Sequence, residues 1–180
     1  MNCWQTCSVI LFLLLTTQAS VARDQFTLEG TIFETIGADH GVDPLLLYAI
    51  AITESATGAG NGYIGPSPYV FRTSGGPRFF KSKSVAETEL SAVLKTTQNV
   101  DVGMMQINLR YHPQSDPLNL LDPHHNLTVA AKYLKKTMAS TDDPVIGVGR
   151  YHSWTKDLAK WYGERVWQIY RNLQRITVFQ

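Results

Sequence analysis

Glu54 closes an apolar stretch, residues 45–53, and is followed by Ser55. A carboxyl in the last turn of a buried helix lies at the negative end of the helix dipole and against apolar surface, and both favour its protonated form. That is the state a general acid needs near neutral pH. A second block, Asp101-Val102-Gly103-Met104-Met105-Gln106-Ile107-Asn108, gathers another carboxyl, two amides and a glycine. Asp101 fits a turn before Gly103 and also an auxiliary chemical role. Gly103 permits close approach of a backbone, either to a ligand or within a tight turn. Met104 and Met105 are core filler by composition. Gln106 is a neutral donor and acceptor that can meet an amide without perturbing Glu54. His112, His124, His125 and His152 show no H-E-x-x-H spacing and the chain has no C-x-x-C, so no metal and no cofactor is expected.

The elements that must position these residues read as mainly helical. Phe26, Ile32, Phe33 and Ile36 have helical spacing ahead of Gly37 and Gly41. Asp43 as N-cap and Pro44 at the first helical position open a second helix over 45–55 and bring Glu54 to its end. Residues 57–77 alternate glycine with proline and read as one long loop, carrying Tyr63, Tyr69 and Phe71. Ser84 and Glu87 have capping-box spacing before a helix with Val85, Leu90, Val93 and Leu94 on its apolar stripe. Residues 100–109 can form a short β-ribbon or a loop. Asp122-Pro123 and Asp143-Pro144 repeat the helix-entry signal, the former placing Leu127, Ala130, Ala131, Leu134 and Met138 inward. The last helix, 156–175, offers Leu158, Trp161, Tyr162, Val166, Ile169 and Leu173 as its apolar face.

Residues 1–22 contain no charged side chain, hold a short apolar core and end on Ser20-Val21-Ala22, the pattern of a cleaved export signal. Without the usual basic n-region, an uncleaved anchor stays open as the alternative. Both cysteines, Cys3 and Cys7, fall inside this segment, so residues 23–180 would fold as one domain without a disulfide. A net charge of +1 gives no footprint for nucleic acid and suits a neutral polymer.

Taken in order, Glu54-Ser55, the 101–108 block, Asn119-Leu120-Leu121-Asp122-Pro123 with Asn126, and Arg150-Tyr151-His152 resemble the lytic transglycosylases of the soluble-lytic, lysozyme-like family. The likeness is greatest to the small single-domain members associated with conjugation and secretion machines. It implies a goose-type-lysozyme-like helical domain and a periplasmic monomer acting on peptidoglycan glycan strands. A secretion or conjugation apparatus would be its partner, and a membrane only if the export segment is retained. The implied reaction cuts the β-1,4 bond between N-acetylmuramic acid and N-acetylglucosamine and leaves a 1,6-anhydro end. Glu54 takes the place of the catalytic acid. Ser55, Gly103, Met104, Met105, Gln106, Asn108 and Tyr151 take those of substrate contacts, with the Tyr151 hydroxyl holding Glu54.

An ordinary glycosidase needs two carboxyls. Asp101 and Asp122 are the available second members, although an N-cap role accounts for Asp122. A lysozyme-type muramidase and a non-catalytic wall-binding module are therefore the competing readings. Two features depart from the family. His152 stands where members commonly have Asn, and the spacing from Glu54 to Gly103 is longer. The excess, about 57–97, reads as an insertion beside the groove whose Tyr63, Tyr69 and Phe71 would stack on sugars or pack locally.

Overall fold

The computed structural model describes residues 26–60 and 63–176. The expected export segment, with Cys3 and Cys7, lies outside them. Among the described residues no helix is long and apolar enough to cross a membrane. The helices are α1 Ile32–His40, α2 Pro44–Ser55, α3 Lys83–Leu94, α4 Pro123–Met138, α5 Pro144–Gly149 and α6 Lys156–Ile176, with a 3₁₀ turn Pro117–Leu121 leading into α4. The three Asp-Pro signals named above open helices as read, and a fourth, Asp116-Pro117, opens the 3₁₀ turn. Asp43 accepts from the Leu45 amide at 2.8 Å, Asp122 from His125 at 2.9 Å and Asp143 from Val145 at 2.8 Å. Each satisfies an amide that the first turn leaves without a helical partner.

Helix α2 is apolar on nearly every side, and a helix of that composition must be central. Leu45, Leu46, Leu47, Ala49, Ile50 and Ala51 are all buried, with α1 and α6 packed against them. Burying Leu47 or Ile50 stabilises the fold by about 1.5–3 kcal/mol each. Helix α6 reaches α2 because two glycines bring it hard against α5. A Cβ on Gly149 would lie 1.8 Å from the Ala159 carbonyl oxygen, and one on Gly163 2.0 Å from that of Val145. Any side chain at either position would push α6 away from the core.

The sheet is larger than expected. The β-ribbon of the 101–108 block is present as β5 Asp101–Val102 and β6 Ile107–Asn108, paired antiparallel. Residues 57–77, however, are not a loop. β1 Ala56–Gly60 pairs with β2 Tyr63–Pro66, and β3 Val70–Thr73 pairs with β4 Gly76–Phe79. β3 also pairs with β5, giving the order β4-β3-β5-β6. Glycine and proline weaken a strand locally, but backbone pairing overrides them, and Pro77 sits on the edge strand where its missing donor does no harm.

Three further expectations are corrected. Helix α1 starts at Ile32 behind a Thr31 cap, so Phe26 precedes it and Gly37 lies within it. The cap of α3 is Ser82, which accepts from Val85, whereas Ser84 lies inside the helix; Ala86 and Leu90 face the core while Val85 is exposed. In α6, Leu158 and Trp161 are 48% and 55% exposed, because the buried stripe runs through Ala159, Tyr162 and Val166 instead.

Candidate active site

The 101–108 block is locked from behind by Asn126 of α4. Its side-chain oxygen accepts from the Met105 amide at 2.8 Å and its amide nitrogen donates to the Val102 carbonyl at 2.9 Å. Gly103, at φ +77°, makes this contact possible, since a Cβ there would lie 2.4 Å from both Asn126 Nδ2 and the Leu120 carbonyl oxygen. The glycine of this motif is therefore required by protein packing, and the two motif segments are halves of one latch. Ser55 ties α2 to the same turn, donating to the Met104 carbonyl at 2.8 Å.

This latch fixes the floor of a groove of about 1280 Å³. Asp101, Gln106 and Asn108 line it, together with Glu54 from α2, Tyr133 from α4, Tyr151 and His152, and Trp161 and Tyr162 from α6. Ser55, Gly103, Met104 and Met105 stand behind the wall, and Met105 is fully buried. Asp122 does not line the groove, its carboxyl being engaged at the head of α4. Gln106 adopts φ +47°, unusual for a residue with a side chain, and its amide donates to Gly103 at 2.8 Å. Asn108 donates to Asp101 at 2.7 Å. Of the hairpin aromatics, Tyr63 is exposed, Tyr69 packs on the core and Phe71 is fully buried; none lines the groove. Among the described residues no group of three His, Cys, Asp or Glu side chains could hold a metal.

The tyrosine that holds Glu54 is Tyr162. Its hydroxyl donates to Glu54 Oε1 at 2.5 Å, across 108 positions of sequence. Tyr151, expected in that role, donates instead to the Met105 carbonyl at 2.8 Å and so braces the 101–108 turn. The reason is the α2–α6 packing, which brings the buried stripe of α6, and Tyr162 with it, to the end of α2. Burial pushes both phenols well above the usual tyrosine range, so Tyr162 remains a donor. His152 stacks face to face on Tyr162, with centroids 4.9 Å apart and planes 3° from parallel. Burial holds the imidazole below its ordinary value, against the pull of Asp101.

Removal from water pushes the Glu54 carboxyl from 4.5 to about 7. The Tyr162 hydrogen bond opposes this, the Asp101 charge adds to it, and the guanidiniums of Arg72 and Arg165 oppose it. Desolvation wins. Asp101 is raised by burial as well, with Asn108, Arg72 and His152 pulling it down. The arrangement is one carboxyl able to hold a proton at neutral pH, oriented by a fixed donor, at the side of a groove walled by aromatic rings.

The family described as Transglycosylase SLT domain matches residues 73–174. The chain belongs to this family. Its mainly helical architecture with a small antiparallel sheet is the lysozyme-like SLT fold, and family membership gives it a peptidoglycan-cleaving role of the lytic transglycosylase type. Glu54 precedes the matched segment, yet it is joined to that segment by Tyr162, which lies inside it. No curated protein and no solved structure matches the chain. Reading the sequence alone missed Tyr162 as the partner of Glu54, Asn126 as the latch, and Arg72 and Arg165 as nearby charges. The signals available were the inward placement of Tyr162 on α6 and the place of Asn126 in the motif.

Proposed function

We propose that the protein cleaves the MurNAc-β-1,4-GlcNAc bond of peptidoglycan by intramolecular transfer, leaving a 1,6-anhydro-MurNAc end. Glu54 donates its proton to the glycosidic oxygen, the C1–O bond breaks, and the C6 hydroxyl of the same sugar closes on C1 as its proton passes back to Glu54. The carboxyl ends as it began, and no water is consumed. The observation that carries this reading is the Glu54 carboxyl itself, brought to about 7 by burial and held by Tyr162, because such a group is both a competent acid and a competent base near neutrality. Gln106, Asn108 and Tyr151 would shape the sugar site, with Asp101 auxiliary. In the same reading residues 1–22 export the chain to the periplasm, where it opens the wall locally, as a secretion or conjugation apparatus would require.

Asp101 favours one rival, a lysozyme-type hydrolase, since it is a second carboxyl on the same groove. Mass spectrometry of digested sacculi separates the two. Products lighter by one water than the hydrolytic muropeptides support transfer, and reducing-end products would refute it.

A further inference from the structure

The groove carries more positive charge than its chemistry uses. Arg72, Lys132, Lys136 and Arg165 line it, against the two carboxyls Glu54 and Asp101. The arginines are accounted for: Arg72 acts on both carboxyls and Arg165 on Glu54, favouring the charged acids. Among the described residues neither lysine is ion-paired with a carboxyl. The ion pairs of the described residues lie elsewhere, at Arg78–Glu89, Lys83–Glu87 and Lys160–Glu164.

Lys132 and Lys136 stand one turn apart on α4, a spacing at which like charges repel. On α3 and α6 the chain places opposite charges at this same spacing, in Lys83–Glu87 and Lys160–Glu164. Their neighbour Lys135 is already engaged, donating to the His40 carbonyl at 3.0 Å. The like-charged pair lies on the helix face that walls the groove. Beside it the rings form a series. His112 meets Tyr133 at 4.4 Å, Tyr133 meets Tyr151 at 5.6 Å, and Tyr151 meets Tyr162 at 6.5 Å. Lys136 acts on His112 at the far end of this series from Tyr162 and Glu54.

We propose that Lys132 and Lys136 form a subsite for a carboxylate on the muramyl substituent of the strand. This rests on the glycan reading above. The sugar rings are neutral and need no cation. The carboxylates are carried by the lactyl group or by the peptide attached to it, and paired ammonium groups are suited to either.

The test measures affinity in a Glu54→Gln background for three soluble probes: peptide-bearing glycan oligomers, the same oligomers freed of peptide by an amidase, and N-acetylglucosamine oligomers with no carboxylate. Adding Lys132→Gln and Lys136→Gln should weaken carboxylate-bearing probes about tenfold relative to the neutral oligomer. Adding Lys132→Arg and Lys136→Arg should preserve that discrimination. Loss confined to the peptide-bearing probe assigns the anion to the peptide, loss confined to the peptide-free probe assigns it to the lactyl carboxylate that the amidase exposes, and loss on both shows that the lysines accept either. Equal change on all three probes, or none, would overturn the proposal. If no probe binds even the Glu54→Gln protein, the glycan reading itself falls, and the subsite with it.

Discussion

The two ends of the groove solve opposite problems. At the Glu54 end a carboxyl is withdrawn from water and held by one hydroxyl, and desolvation outweighs the nearby arginines, so it can keep its proton at neutral pH. At the other end Lys132 and Lys136 are exposed, and among the described residues neither is in an ion pair. Proton transfer needs desolvation, which moves an acid's affinity for its proton. Recognition of a charged group needs the reverse, a cation that has not already spent its interaction on the protein.

The largest effect should come from removing the acid. Glu54→Gln keeps the shape and can still accept from Tyr162, but it holds no transferable proton. Lytic activity on sacculi should fall by roughly 10²–10⁴-fold. A variant that clears sacculi at the parent's rate would end the assignment.

Next in size is the contrast between the two tyrosines. Tyr162→Phe removes the donor that favours the charged carboxylate, so the Glu54 value should rise further. Turnover should drop by roughly tenfold, and the alkaline fall in the pH profile should move to higher pH. Tyr151→Phe instead leaves the buried Met105 carbonyl without this partner, which should cost about 1–3 kcal/mol of stability and leave the alkaline limb in place. Denaturant melts alongside pH profiles decide between them. An identical response of the two variants would erase the distinction.

A last effect is on stability against pH. The folded value of Glu54 lies above its ordinary 4.5, so the folded state binds this proton more tightly than the unfolded chain does. The penalty for ionising it is absent below about 4.5, grows as pH rises, and is complete above about 7. It amounts to roughly 3 kcal/mol at most. Glu54→Gln should therefore match the parent in thermal melts near pH 4 and exceed it near pH 8. A constant difference across that range would mean the carboxyl is not desolvated as described. Parent activity should likewise decline as pH rises through about 7.

Features written in local chemistry were legible in the sequence. The three Asp-Pro entries, the all-apolar α2 and the inward stripe of α4 each follow from a rule that spans one or two turns of chain. So does the position of Glu54 at a helix end. The strands β1 to β4 were not legible, because their glycines and prolines signal turns, and only partners across the sheet make them strands. Phe71 shows the cost of that: the sequence left it open between stacking on sugars and packing locally, and it is a core residue of β3.

The motif glycine and Asn126 were visible as a pattern but not as a mechanism. Nothing in a linear chain tells that Gly103 is small so that an amide 23 positions later can reach the Val102 carbonyl and the Met105 amide on either side of it. The sequence by itself determined the helical class, the candidate acid and the residues that recur around it, since these depend on side-chain chemistry and short-range spacing. The tertiary structure alone decided which tyrosine holds that acid and which cations line the groove beside it, because both depend on how closely α6 and α4 approach their neighbours. That approach is set by close packing of surfaces far apart in the chain.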